Sequence, residues 1–185
     1  MNVYDFDNTI YRGDSTFDFV LYCYRHYPKS MLNVPRTLWF GLLYALHLKP
    51  KLVFKENLYQ MFRYIDHIED LVDTFTYSHL DHIKGWYLQQ QSPTDVVISA
   101  SPEFLIQKFC ERIGIENVMA SKVDPHTGHY DGLNCHGEEK VRRFYEVYPD
   151  GVIDEFYSDS KSDTPLAKIS KKAYLVKGNE RILWK

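Results

Sequence analysis

Cysteine is scarce in this 185-residue chain, and the few present do not pair by spacing. Cys23, Cys110 and Cys135 are odd in number and form no C-x-x-C motif. That speaks against a disulfide framework or a zinc knuckle and fits a reducing compartment. No stretch reaches the roughly 18 consecutive apolar residues that a spanning helix requires. The chain opens on Asn2-Val3-Tyr4-Asp5, with an acidic residue at once and no apolar stretch before it. A secretory leader is therefore not expected, and the expected location is the cytoplasm, with peripheral membrane contact left open. Strong net charge is missing as well: at −3 there is no global attraction to nucleic acid, and no nucleic-acid partner is expected. No internal repeat or low-complexity tract is visible, which excludes solenoids and fibrous classes.

What is present is enough apolar material for a core. Hydrophobic residues make up 44% and charged residues 25%, a balance that disfavours disorder. The hydrophobic periodicity changes twice along the chain. Met1 to Phe6 reads as a short strand. Residues 15–91 then read as successive helices, the first capped by Asp14 or Ser15 and carrying Phe17, Val20, Leu21 and Tyr24 at helical spacing. Pro28, Pro35 and Pro50 punctuate this region, and Lys51 to Ile65 reads as one of its helices. After Ser92-Pro93 the pattern alternates: strands at 95–99, 117–121, 152–157 and 173–176, helices at 102–113, 138–148 and 164–170. Turns at Thr127-Gly128 and Asp131-Gly132 point to a hairpin. Strands alternating with helices imply an α/β fold with a Rossmann-like parallel sheet and right-handed crossovers. The expected organisation is a core formed by residues 1–14 and 92–185, with residues 15–91 inserted as an all-helical cap.

Four features fall at strand ends or at a helix start. Asp5-Phe6-Asp7-Asn8-Thr9 leaves the first strand with two carboxylates two residues apart, able to point to the same side. Ser99, followed by Ala100, ends Val96-Val97-Ile98. Lys140 begins a helix in Gly137-Glu138-Glu139-Lys140. Asp159 and Asp163 follow a strand in Tyr157-Ser158-Asp159-Ser160-Lys161-Ser162-Asp163. Ligands of open parallel sheets sit beyond the carboxyl ends of the strands. Carboxylates gathered there repel one another in a low-dielectric site, and a divalent cation relieves the repulsion. All-oxygen donors favour Mg2+, which keeps several waters and takes few protein ligands. Lys140 and the Ser99 hydroxyl suit the oxygens of a phosphoryl group.

In this order and at these spacings, D-F-D-N-T, I-S-A-S, G-E-E-K and Y-S-D-S-K-S-D resemble the haloacid dehalogenase superfamily of phosphatases. The insert resembles the helical cap of the phosphoserine phosphatase-like branch. Asn134 to Val141 and Ser158 to Leu166 are similar to phosphatidylglycerophosphatase C-type relatives. Where phosphoserine phosphatases usually carry a glycine pair after the second-motif serine, this chain has Ala100-Ser101. The resemblance implies a two-step transfer from a small phosphorylated metabolite or lipid-like phosphate. In it Asp5 is the nucleophile that becomes an aspartyl-phosphate. Asp7 protonates the leaving oxygen and then deprotonates water. The resemblance also implies metal binding by Asp5, Asp159 and the Asp7 carbonyl, and phosphate binding by Ser99, Ala100 and Lys140. Asp163 is then a metal-shell residue or an orienting partner of Lys140. A phosphotransferase of the same fold and a non-catalytic Mg2+/phosphate-binding module stand as alternatives. Oligomeric state is not legible.

Three other features admit more than one role. Leu38 to Leu48 is apolar nearly all round, but as a helix it is only about 16 Å long, too short to span. Burial in the cap, a membrane-surface contact and a dimer contact all fit it, with Arg36, Lys49, Lys51 and Lys55 flanking. His126, His129 and His136 cluster without an H-E-x-x-H or cysteine pair and read as exposed imidazoles on a hairpin. His79 and His82 lie one helical turn apart, on the surface or at a pocket rim.

Overall fold

A computed structural model describes residues 1–184. Six strands form one sheet: β1 (Asn2–Tyr4), β2 (Val96–Pro102), β3 (Asn117–Ser121), β4 (Ile153–Ser158), β5 (Ser170–Lys177) and β6 (Glu180–Leu183). Their order is β3-β2-β1-β4-β5-β6, parallel throughout except for the β5–β6 hairpin. The alternating pattern thus forms the parallel α/β sheet expected of it. Between β1 and β2 run α1 (Ser15–His26), α2 (Val34–Ala45), α3 (Lys51–Tyr59), α4 (Ile68–Ser78) and α5 (Gly85–Gln90), joined by short 3-10 turns. The remaining helices are α6 (Glu103–Arg112), α7 (Glu138–Val147) and α8 (Thr164–Ile169).

Strand β1 sits in the middle of the sheet, and its Val3 and Tyr4 are fully buried. Val3 points into an apolar cluster with Ile98, Phe144, Phe156 and Leu166, on the face covered by α7 and α8. Tyr4 points the other way, into a second cluster that includes Phe6, Phe109, Phe19, Phe62 and Phe75. This second cluster joins the sheet, α6 and the inserted helices without a break. Phe75 of α4 lies 5.8 Å from Phe109 of α6, ring centre to ring centre. A residue of β1 and residues of the insert therefore bury each other's apolar surface.

Several elements differ from their expected outlines. Strand β1 is shorter because the Phe6 carbonyl accepts hydrogen bonds from the amides of Thr9, Ile10 and Tyr11, which turns the chain off the sheet. Strand β2 runs on to Pro102, with a register irregularity against β3 between Ile98 and Pro102. The third inserted helix stops at Tyr59, and residues 60–64 tighten into a 3-10 turn. In α1 the buried stripe is Phe19, Val20 and Cys23, whereas Phe17 and Leu21 are exposed. Both stripes are apolar; the N-terminus decides between them, because the Ser15 amide is tied to Asp7 and the Phe17 amide to the Asp14 side chain. Residues 122–131 form a turn closed by a single Val123–Tyr130 bridge rather than an extended hairpin. That turn abuts the insert: His129 pairs with Glu56 at 2.9 Å and His126 with Glu69 at 3.0 Å.

Helices α2 and α3 pack side by side. Gly41 lets Phe54 come close, since a Cβ there would lie 3.3 Å from its ring. Tyr44 stacks on the same ring with centroids 5.9 Å apart.

Candidate active site

The chain leaves β1 at Asp5 and turns at Asn8, whose φ of 55° is left-handed, a conformation asparagine tolerates better than most residues. The turn lets Asp5 and Asp7 diverge to different partners. Asp5 Oδ1 accepts from Lys140 Nζ at 2.6 Å, and the same ammonium donates to Asp163 Oδ2 at 2.8 Å. The Lys140 side chain is 2% exposed, so this is a buried charge held between two carboxylates. Helix α7 delivers it from across the sheet. Asp163 directly precedes α8, but its side chain makes no capping hydrogen bond; it accepts from Lys140 and from Ser158 Oγ at 2.8 Å.

Asp7 is held by a separate set. Ser15, the first residue of α1, donates to Asp7 Oδ1 through its amide at 2.7 Å and its hydroxyl at 2.5 Å. The helix N-terminus thereby faces a carboxylate, a favourable dipole arrangement. Ser101 Oγ donates to the other oxygen, Asp7 Oδ2, and is itself the acceptor for Thr16 Oγ1 at 2.8 Å. Ser99 enters through its hydroxyl oxygen, which accepts from the Ser101 amide at 3.1 Å. The Ala100 carbonyl accepts from Ser121 Oγ at 3.1 Å and from Lys55 Nζ, reaching over from α3, at 2.8 Å. Asp159 joins through Thr9: its amide donates to Thr9 Oγ1 at 2.9 Å, and that hydroxyl approaches Asp5 Oδ2 at 3.4 Å.

One hydrogen-bonded chain thus links Asp5, Lys140 and Asp163, with Thr9 and Asp159 as a branch. A second links Asp7, Ser101 and Ser99. Both issue from the turn after β1, at the carboxyl ends of β1, β2 and β4. The contacts of the bridging residues leave no mark in the sequence. Thr9, Ser15 and Ser101 are short hydroxyl residues with no periodic signal. Lys84, only 5% exposed, would pass in the sequence for a solvated lysine. Its ammonium donates to the Asn8 carbonyl and, at 2.6 Å, to the Gly178 carbonyl, tying the motif turn to the β5–β6 turn. Beside it a cavity of about 490 Å³ is bounded by Asn8, Arg12, Lys84, Asp159 and Gly178, among others.

Burial shapes the acidities. It pushes the Asp5 carboxyl up to about 7, opposed by Lys140 and reinforced by Asp163. It pushes Asp7 up to about 6, with Asp14 adding to the rise and Ser101 and Ser15 opposing it. Asp159 is raised too, by burial first and then by Asp163. For Lys140 burial works against the charge, but Asp5 and Asp163 reverse it and hold the ammonium well above the ordinary lysine value. Burial and the nearby Lys51 lower Lys55 to about 8.

Comparison with known proteins decides the family. The model of the haloacid dehalogenase-like hydrolases matches residues 3–168. The chain belongs to this family. The expected enzyme class, a phosphatase of the superfamily, agrees with that match and with the relatives. A curated histidinol-phosphatase of Neisseria meningitidis serogroup C (strain 8013) is 26% identical over 90% of this chain and 85% of its own length. Among solved structures, a protein of unknown function from Bordetella pertussis Tohama I superposes with a TM-score of 0.79 at 16% identity, covering 95% of this chain and 88% of the other. A phosphoserine phosphohydrolase-like protein from Francisella tularensis subsp. tularensis SCHU S4 gives 0.56 at 15% identity, with 95% and 87% covered. These structural likenesses fit the Rossmann-like fold of the family.

Proposed function

We propose that this hydrolase cleaves a small phosphomonoester with Asp5 as the nucleophile, Asp7 as the proton carrier and Mg2+ as the cofactor. The observation that carries the reading is the contrast between the two aspartates. Asp5 faces a cation and has one oxygen left with only a long contact from Thr9. Asp7 has both oxygens held by hydroxyl and amide donors on α1 and β2. The first arrangement suits attack on phosphorus, the second a carboxyl that must keep its aim while gaining and losing a proton.

The residues fit a magnesium ion. Asp5 and Asp159 would bring side-chain oxygens and, as the family resemblance implies, Asp7 its backbone carbonyl, its carboxylate being held by Ser15 and Ser101. Among the described residues no group of three or more His, Cys, Asp or Glu side chains converges as a metal site. Two carboxylates, a carbonyl and water are what this ion commonly takes. When bound, Mg2+ supplies charge for the phosphoryl oxygens and lowers the proton affinity of the carboxylates around it.

In the first half-reaction an Asp5 oxygen bonds to phosphorus as the bond to the leaving alkoxide breaks. Asp7 gives its proton to that oxygen, releasing the alcohol. In the second, Asp7 takes a proton from water, whose oxygen bonds to phosphorus and displaces the Asp5 carboxylate, returning phosphate. Lys140 and the Ser99 hydroxyl hold phosphoryl oxygens, the Ala100 segment shapes their seat, and Asp163 aims Lys140. Residues 15–91 act as a cap on a core of 1–14 and 92–185, and they bring two lysines to the site, Lys55 at the Ala100 carbonyl and Lys84 at the Asn8 carbonyl. The names of the relatives favour an amino-alcohol phosphate as substrate.

The test is phosphate release from a panel of histidinol phosphate, phosphoserine, sugar phosphates and a short-chain phosphatidylglycerophosphate. Turnover should require Mg2+, stop with EDTA, and fall by several orders of magnitude in Asp5→Asn. Full activity of that variant, or turnover that ignores chelation, refutes the reading.

A further inference from the structure

Helix α2 has no buried residue. Its inner side rests on α3, with Gly41 and Tyr44 against Phe54. On its outer side Leu38, Trp39, Leu42 and Leu46 follow one another at helical spacing and are 68, 59, 51 and 58% exposed. Leu32 and Leu48, just beyond the two ends of the helix, are exposed as well. The outer face of a solvated helix is normally polar. This one is apolar on both sides, although only one side has a partner, and such contiguous exposed patches mark interaction surfaces.

The charge around the stripe indicates the partner. From Phe19 to Lys55 there is no aspartate or glutamate, but there are six basic residues, in a chain whose net charge is −3. Lys29, Lys49 and Lys51 are exposed at the two ends of the stripe. Two copies joined through this face would bring like charges together, which disfavours self-association. A leucine stripe containing one tryptophan, bracketed by lysines, suits the boundary between headgroups and acyl chains, and negatively charged headgroups attract such lysines. No helix among the described residues is long and apolar enough to cross a membrane, so the contact is to the surface. We propose that the outer face of α2 docks the protein on an anionic lipid bilayer. Because α3 lies directly under α2 and sends Lys55 to Ala100, the docked helix is one layer away from the catalytic network.

The test is flotation of the full chain with phosphatidylcholine vesicles, with and without phosphatidylglycerol, at low and high salt. Binding should require the anionic lipid and weaken with salt. It should drop at least about tenfold in Leu38→Glu/Leu42→Glu and also fall in Lys29→Glu/Lys49→Glu. Both variants should keep the parent's melting temperature and its phosphate release from a soluble substrate. A blue shift of emission on vesicle binding should disappear in Trp39→Phe. The proposal is overturned by failure to float with either vesicle, by unaltered flotation of the double-glutamate variant, or by a vesicle-independent dimer that this variant dissociates.

Discussion

Asp5 shows how burying a single charge weighs on the stability of the fold. Its carboxyl moves from the ordinary 3.8 to about 7 because burial penalises the charge more than Lys140 relieves it. A carboxyl raised on folding binds its proton more tightly in the native state. Its contribution to stability is therefore full below about pH 4 and is lost as pH rises through about 7. In metal-free protein, Asp5→Asn removes the charge that burial opposes, and Lys140 keeps Asp163 as a partner. This variant should be more stable than the parent at pH 8, by roughly 0.5–2 kcal/mol, and the difference should vanish toward pH 4. Chemical denaturation in EDTA at the two pH values measures it. An Asp5→Asn variant that is less stable at pH 8 would show that the ion pair, not burial, dominates.

The turn at residues 122–131 illustrates what a short element contributes. Gly128 there has φ +74°, and a Cβ on it would lie 2.3 Å from the Tyr59 carbonyl carbon and oxygen. Backbone cannot yield as a flexible side chain can. Gly128→Ala should therefore lower stability by at least about 1–3 kcal/mol and weaken the His129–Glu56 pairing, read by urea unfolding and by faster amide exchange in the turn. The sequence marked this turn, because Thr-Gly is a local signal; the approach of Tyr59 depends on a residue 69 positions away and left no local trace. The same distinction runs through the molecule. Asp5, Asp7, Lys140, Asp159 and Asp163 were legible because each stands at a fixed place in a short motif. Ser15, Ser101 and Lys84 acquire their contacts only when α1, β2 and the β5–β6 turn come together. Strand β6 escaped notice because all four of its residues are exposed and show no inside-outside alternation. The rotation of α1 is not legible from spacing alone, because Phe17 and Leu21 are as apolar as the residues actually buried.

For the molecule as a whole, the proposed Mg2+ would link the site to global stability. An ion that binds only the folded chain stabilises it by about 2.7 kcal/mol at a hundred times its dissociation constant. Mg2+ should raise the melting temperature, EDTA should reverse the rise, and Asp159→Asn should flatten the response while leaving the metal-free melting temperature close to the parent's. An unchanged Mg2+ response in that variant would remove Asp159 from the metal set. The inner face of the sheet and the inserted helices bury one another through Tyr4, Phe19, Phe75 and Phe109. Excising residues 15–91, or exchanging them for another helical insert, would leave that aromatic seam open to water. New substrate preferences in such a scaffold would then be reached by changing side chains at the rim, one at a time, rather than by swapping whole modules.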